Sequence, residues 1–124
     1  MAMNSETMGS ILVEVLCYEG EVDAAWDAAT AIGCTESWWM TLARARERDH
    51  PIDVIPVYQR AVADLIDTKR SARYSDAVAL IKRVHSLYVA IEDPDGWETY
   101  LHDLVDTHKA KSNLMRKIGA AGLG

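Results

Sequence analysis

The residues with the clearest potential for chemistry are histidines and a carboxylate in the last third of the chain. His102 and Asp106 lie four positions apart, so on a helix they share one face, as two ligands of a metal ion can. His108 would lie on a different side, so a third ligand would have to come from another helix, for example His85. Surface histidines are the commoner explanation, and no nucleophile accompanies the pair. We therefore expect no metal site, no cofactor and no catalytic residue, and we keep a metal-dependent enzyme as a third hypothesis.

Two other polar segments have structural explanations. His50 precedes Pro51 in a turn, where its ring could hydrogen-bond a helix end, with catalysis as the alternative. The Asp-Pro-Asp-Gly sequence at 93–96 spaces its carboxylates as a calcium loop does, but it lacks the other ligands and the terminal glutamate. We interpret this segment as a capped turn.

Aromatic and basic side chains are the candidates for contact with a partner. Trp38 and Trp39 are adjacent, so on a helix they project about 100° apart, and either both are core or one is exposed as a binding anchor. The last helix is locally basic, which either complements its dipole or serves contact with phosphate or an acidic partner. No aromatic residue is interleaved among those bases, which weakens a single-strand nucleic-acid role. The predicted contact residues are Trp38, Tyr58, Arg60, Lys109 and Lys111.

The charge and composition fit a small soluble protein. The chain has 124 residues, 49% of them hydrophobic, and a net charge of −6, which fits a single domain with its own core. No Lys or Arg occurs up to Ala43, so nucleic acid is not expected to lie along the whole surface. No apolar run is long enough to span a membrane, and we expect a cytoplasmic protein. Cys17 and Cys34 are isolated, which favours buried thiols over a disulfide.

Hydrophobic spacing predicts an all-α fold of about six helices in three antiparallel hairpins. The clearest pair runs from Asp49 to Tyr88, with a short polar link at 68–71. Gly20 and Gly33 are expected to end the first two helices. Asp53 is the preferred N-cap of the fourth helix, because Pro56 then falls in the first turn. Residues 1–7 are assigned to an N-terminal extension and residues 8–121 to one helical domain.

The pattern around Ile11–Leu16 is apolar on more than one side of its helix. A short stack of helices must cover the outer faces of its terminal members. We therefore expect either a covering segment or a homodimer through this N-terminal helix.

Two resemblances accompany these patterns. The segment RYSDAVALIKRVHSLY looks like the second helix of a tetratricopeptide repeat, which implies a short right-handed α-solenoid. The succession AAWDAA, GC, WW, LARARERDHPIDVIPVYQR, YSDAV and YLHDLVDTHKAKSNLM resembles the helical C-terminal region of bacterial SWIM zinc-finger proteins, from about Leu12 to Ile118. The Cys-x-Cys and Cys-x-His zinc ligands of that family are absent from this sequence. The resemblance therefore implies a fold, and it assigns no zinc and no catalytic residue here.

The sequence leads to one preferred function and one alternative. We expect a non-catalytic protein-interaction module, a scaffold or adaptor, that presents a groove or an aromatic end to a helix or peptide. The alternative is a nucleic-acid-associated accessory domain whose basic last helix contacts backbone phosphates. The identity of the protein or peptide partner is not encoded in any motif.

Overall fold

The computed structural model describes residues 4–123, except for the side chain of Ser71. This part of the chain contains seven α-helices and no strand, so the all-α prediction is confirmed. The helices are α1 (Ser5–Tyr18), α2 (Val22–Ile32), α3 (Glu36–Arg46), α4 (Pro51–Asp67), α5 (Ser71–Ala90), α6 (Pro94–His108) and α7 (Ser112–Ala120). The predicted arrangement of hairpins in a solenoid stays a prediction.

The chain divides into two compact units, Met1–His50 and Pro51–Gly124. Unit 1 contains α1, α2 and α3, each in contact with the other two, and in unit 2 α5 contacts α4, α6 and α7. Residues 1–3 of the predicted N-terminal extension lie outside the described residues, whereas residues 5–7 belong to α1. The assignment of residues 8–121 to one domain stays a prediction.

Several helix ends lie where local chemistry places them. Gly20 and Gly33 have φ values of +78° and +95°, a region that glycine enters without steric cost, so both predicted helix ends are confirmed. The carboxylate of Asp93 accepts a hydrogen bond from the Gly96 N–H at 3.0 Å, and Pro94 occupies the first helical position. The segment 93–96 is therefore a helix cap.

The start of α4 differs from the prediction. The helix begins at Pro51, not after an N-cap at Asp53, and Pro56 lies inside it. Pro51 supplies the fixed φ that suits a first helical position. Pro56 cannot donate to the carbonyl of Ile52, but the Ile52 residue is 68% exposed, so water can satisfy that oxygen. Exposure of the first turn thus removes much of the cost that made an earlier start look unfavourable.

The predicted last helix is two helices, because the chain turns at residues 109–111. The Lys111 N–H donates to the His108 carbonyl at 2.9 Å, which closes the turn before α7 begins. One straight helix would carry the final apolar residues away from the core. After the turn, Leu114 and Ile118 are 0% and 2% exposed and join Val62 and Ile66 in the core of unit 2. Tertiary burial therefore explains the seventh helix.

Small residues bring α1 close to the start of α3 in unit 1. A Cβ atom at Gly9 would clash with the carbonyl oxygen of Gly33, so only glycine fits there. The Ser10 hydroxyl donates to the Glu6 carbonyl at 2.8 Å and accepts from the Thr35 N–H at 2.9 Å. The core beside this crossing is formed by Val13, Ala25, Ala29, Cys34 and Leu42. This packing fixes which face of α1 is turned inward.

Candidate interaction surface

One face of α1 is apolar and exposed along the length of the helix. Its five side chains are exposed by 55%, 48%, 39%, 48% and 93% for Met8, Ile11, Leu12, Val15 and Tyr18 respectively. Steps of three, one, three and three residues place them on a single side of a helix. We call this surface the α1 stripe. Contiguous exposed apolar residues of this kind mark sites of interaction on soluble proteins.

The opposite face of α1 is occupied by the packing of unit 1. Val13 is fully buried, and Gly9 and Ser10 are buried on the same helix, whereas Leu16 and Cys17 are partly buried. α1 is therefore apolar on two sides, as the sequence indicated, but only one side is covered by the described residues. Tyr18 is the most exposed large apolar side chain of the stripe, and no described segment covers it.

The α1 stripe extends beyond α1. Ile32, at the end of α2, is 41% exposed. One of its methyl carbons lies 3.3 Å from the point where a Cβ atom on Gly9 would be, so Ile32 lies against α1 at Gly9. The apolar surface of unit 1 is therefore wider than one helix.

The charged residues on α1 and directly after it are all negative. Glu6 and Glu14 lie on α1, and Glu19 follows directly after it, all three exposed. Unit 1 as a whole has nine acidic residues and three arginines, the latter at positions 44, 46 and 48. Unit 1 therefore accounts for the net charge of −6, and unit 2 is balanced.

Both tryptophans of the Trp38–Trp39 pair are half-buried against the core of unit 1. Trp39 meets Trp26 edge to face, with ring centroids 5.4 Å apart. Neither ring is a fully exposed anchor, so the predicted contact role of Trp38 stays a prediction.

The prediction for Tyr58 is wrong. Its side chain is completely buried, so it cannot contact a partner while the chain is folded. Tyr58 lies on the broad apolar face of α4, whose buried residues also include Val54, Val62 and Ile66. The sequence pattern placed Tyr58 on this face, and the face belongs to the interior.

The predicted basic contacts are separated from the α1 stripe along the chain. Arg60 is exposed on α4. Lys109 is exposed at the end of α6, where its Nζ lies 3.7 Å from a carboxylate oxygen of Asp106. Lys111 is half-buried as the residue before α7. Their roles in binding stay predictions.

The candidate metal ligands are not brought together. The His85 ring packs on Trp97 with centroids 4.5 Å apart, and His102 lies 3.9 Å from its neighbour Asp103. Asp106 is paired with Lys109. Among residues 4–123, no three His, Cys, Asp or Glu side chains are grouped in a way that could hold a metal ion.

The environment of His108 follows from its position near the turn between α6 and α7. Burial lowers the pKa of its imidazole below the ordinary value of 6.5, and the positive charge of Lys111 lowers it further. Asp67 acts in the opposite direction and is the weakest of the three influences. Folding therefore favours the neutral imidazole, through partial burial and the neighbouring positive charge.

An apolar cleft lined largely by aromatic rings lies in unit 2. It has a volume of about 250 Å³ and is lined by His85, Tyr88, Val89, Glu92, Asp93, Pro94 and Trp97. The Tyr88 hydroxyl accepts a hydrogen bond from Gln59 at 3.0 Å, and the Asp93 carboxylate caps α6. The polar atoms of the cleft are thus largely engaged in holding α4, α5 and α6.

A buried arginine in unit 1 was not anticipated from the sequence. Arg46 is 8% exposed, its guanidinium carbon lies 4.5 Å from the Trp26 ring centroid, and its Nε lies 3.2 Å from Asp23. The His50 ring is 3.9 Å from the same carboxylate. The spacing Asp23–Trp26, one helical turn, is the only sequence signal for this arrangement, and it does not identify the arginine.

Both cysteines carry free thiols, as predicted. Cys34 is buried and Cys17 is half-buried, and burial raises the pKa of the Cys17 thiol. A raised pKa keeps a thiol protonated, which is typical of a structural cysteine. Within the described part of the chain, none of the helices combines the length and the apolar content that crossing a bilayer requires.

Comparison with known proteins gives one short match. A scan of protein-family models finds none that matches, and a search of solved structures finds none either. The chain is 31% identical over 68 residues to the uncharacterised protein YwqB of Bacillus subtilis (strain 168). The match covers 55% of this chain and 13% of that protein. The chain thus spans a small fraction of the relative, whose description names no activity.

Proposed function

We propose that the chain is a non-catalytic protein-interaction module of the cytoplasm and that it binds its partner through the α1 stripe. The supporting observation is the exposure of Met8, Ile11, Leu12, Val15 and Tyr18 on one face of a helix whose other face is already packed. An exposed apolar helix face that bound no partner would make the chain prone to aggregation. Helix-in-groove recognition uses apolar anchors at this spacing.

The size of the stripe suits a specific but reversible contact. Fully burying an aliphatic side chain contributes about 1.5–3 kcal/mol, so covering a half-exposed one contributes about 1 kcal/mol. The five residues together offer roughly 5 kcal/mol before the entropic cost of association. Trp38 of unit 1 and, on unit 2, Arg60, Lys109 and Lys111 are further candidate contacts of the module.

The test is a charge substitution within the stripe and a matched one outside it. We expect Ile11→Glu combined with Val15→Glu to abolish retention of the partner that co-purifies from the cell extract, once that partner is identified and its Kd measured. Ile52→Glu is the control, because Ile52 is 68% exposed but lies on α4. If the unsubstituted chain, the double variant and Ile52→Glu bind the partner with equal affinity, the proposal is refuted.

A second candidate function is contact with nucleic acid through the C-terminal basic residues. Arg116, Lys117 and Asn113 of α7 line an open cleft of about 380 Å³ with Ala72 and Ser75 of α5. Lys109 and Lys111 stand at the turn before α7. A salt titration of binding to mixed-sequence DNA and RNA tests this candidate, because phosphate contacts weaken steeply with salt. Binding that is lost in Lys109→Glu with Lys111→Glu would support it, and no binding at low salt would remove it.

We also propose that the chain is related to the helical C-terminal region of SWIM zinc-finger proteins. The residues that support this proposal are those of the sequence resemblance, chiefly DHPIDVIPVYQR at 49–60, which leads into α4, and KAKSNLM at 109–115, which leads into α7. The zinc ligands of those proteins have no counterpart here. The relationship would give this chain the helical fold of that region without giving it a metal.

A further inference from the structure

The shape and charge of the α1 stripe indicate the kind of partner that it would bind. Resting on the proposed function, we propose that the occupant is an amphipathic helix of another protein whose apolar face is bordered by lysine or arginine. The shape of the stripe, the charges at its edges and the repulsion between two copies of it favour this occupant.

The shape of the stripe fits another helix. From Met8 to Tyr18 there are ten steps along an α-helix, which is about 15 Å, or nearly three turns. Anchors at steps of three and four on one helix interdigitate with the same spacing on a second helix. Ile32 widens the surface on the α2 side. A partner helix of about three to four turns would cover it.

The charges at the edges of the stripe select the partner. Glu14 lies beside the apolar residues on α1 and Glu19 follows Tyr18, whereas Glu6 is on the side of the helix that carries Ser10 and Val13. No Lys or Arg occurs in the first 43 residues, so the stripe has no positive charge of its own on α1 or α2. A partner with lysine or arginine beside its apolar face would meet a carboxylate in either orientation.

The same charges disfavour a second copy of this chain as the occupant. A parallel pair of α1 helices would bring Glu14 of one copy towards Glu14 of the other, and an antiparallel pair would set Glu14 and Glu19 of each copy against a helix that has no basic residue. No alignment of two α1 helices provides an opposite charge, because each contains only acidic charged residues. Unit 1 carries nine acidic residues against three basic ones, so approach of two copies is repulsive at low salt.

The experiment compares designed peptides rather than an unidentified ligand. Four peptides of about 18 residues, labelled with a fluorophore, would share alanine-rich helical backbones and differ in one respect each. Three carry the same leucine stripe bordered by Lys, Gln or Glu, and the fourth has the Lys composition with the leucines scrambled off one face. Fluorescence anisotropy gives the Kd of each for the full chain.

We expect the Lys-bordered peptide to bind about tenfold more tightly than the Glu-bordered one, since two or three exposed ion pairs add up to such a factor. The difference should shrink as salt is raised. Binding should be lost with the scrambled peptide and with the Ile11→Glu, Val15→Glu variant, and should persist with Ile52→Glu. Glu14→Gln with Glu19→Gln should weaken the Lys-bordered peptide and spare the Gln-bordered one.

The outcomes separate this inference from the proposed function. Equal binding of the Lys-, Gln- and Glu-bordered peptides, all lost in the stripe variant, would overturn the charge preference and leave the interaction surface intact. Equal binding of the scrambled and ordered Lys peptides would show mere charge attraction and overturn the inference. A dimer in sedimentation equilibrium that the stripe variant dissociates would identify a second copy as the occupant and overturn it as well. If no peptide binds and the stripe variant still binds the natural partner with unchanged affinity, both proposals are refuted.

Discussion

Gly9 and Gly33 lie against each other so closely that the backbone carbonyl of Gly33 occupies the space a side chain at position 9 would need. This contact sets how deeply the end of α2 rests on α1. It also turns Val13 and Ser10 inward, and thereby leaves the opposite side of α1 facing solvent. The position of the α1 stripe thus depends on a pair of residues with no side chains.

We expect Gly9→Ala to destabilise the chain by about 1–3 kcal/mol or more, because the added methyl group meets backbone that cannot move aside as a side chain can. Denaturant unfolding followed by circular dichroism measures the change. Gly119→Ala is the matched control, since nothing lies within 4 Å of a Cβ atom there and the residue is within α7. Alanine is the better helix former, so this variant should gain up to about 1 kcal/mol. A neutral Gly9→Ala variant would contradict the packing described for unit 1.

Val13 and Val15 provide a comparison within one helix. Val13 is fully buried and Val15 is 48% exposed. We expect Val13→Ala to lower the free energy of unfolding by roughly 1–3 kcal/mol, because two methyl groups are lost from a packed core. Val15→Ala should change stability by less than about 0.5 kcal/mol, and it should weaken partner binding instead. Urea midpoints of the two variants provide the measurement, and equal losses of stability would show that the exposed face of α1 is packed after all.

Tyr88 and Tyr100 should respond differently to loss of the hydroxyl group. The Tyr88 oxygen accepts a hydrogen bond from Gln59 at 3.0 Å, whereas the buried Tyr100 oxygen has no partner among the described residues. Tyr88→Phe should therefore cost about 0.5–1.5 kcal/mol, and Tyr100→Phe should be neutral or stabilising. Thermal unfolding of the two variants side by side tests the difference. A larger loss for Tyr100→Phe would show that its hydroxyl has a partner.

The pKa of Tyr100 offers a second test of the burial of its hydroxyl group. Burial raises its pKa to about 12, with a further contribution from Tyr88. The unfolded tyrosine releases its proton near pH 10, so the folded state loses stability as the pH rises from about 10 to about 12. Phenolate absorbance during an alkaline titration should contain a late component that decreases in Tyr100→Phe.

The imidazole of His108 should have a pKa below its ordinary value of 6.5. Its pKa is lowered in the folded state, so on acidification the unfolded chain takes up this proton first. The contribution of His108 to the free energy of unfolding therefore falls as the pH decreases from about 6.5 to the folded-state pKa, and this contribution does not change at lower pH. NMR titration of the imidazole resonances, assigned with His108→Gln, measures the midpoint.

Lys111 and Lys109 allow the electrostatic part of this effect to be isolated. Lys111→Gln should raise the midpoint of His108, because a neighbouring positive charge is removed. Lys109→Gln is the control, since Lys109 is paired with Asp106 and does not contribute to the shift. A midpoint that moves equally in both variants would assign the shift to the general charge of the segment.

Local rules were sufficient where a residue acts on its own backbone. Gly20, Gly33 and the Asp93–Pro94 cap could be predicted because each determines a helix end through its own geometry or its own hydrogen bond. The start of α4 could not, because the choice between Pro51 and Asp53 depends on whether the Ile52 carbonyl can reach water. The turn at 109–111 depends on burial of Leu114 and Ile118, which the periodicity of the last segment does not contain.

The candidate site was predictable to a similar degree. The sequence shows that α1 is apolar on two sides, and it predicted that one side needs a cover. Which side is already packed depends on Gly9 and Ser10, and their contacts with residues 33–35 are separated by about 25 positions in the chain. Tyr58 is predicted as a contact residue from its sequence position, but its ring is buried. The spacing of apolar residues alone does not distinguish an aromatic ring in the core from one at the edge of an apolar face.

The distribution of indole rings makes the molecule its own spectroscopic reporter. Trp26, Trp38 and Trp39 belong to the first unit, where a guanidinium group stacks on one of them, and Trp97 stands alone in the second. Emission excited at the red edge of tryptophan absorbance is consequently dominated by the first unit. Replacing Trp97 with phenylalanine leaves an indole signal from the first unit alone, so the melting of that unit can be followed without any label and compared with loss of helix in the whole chain by circular dichroism.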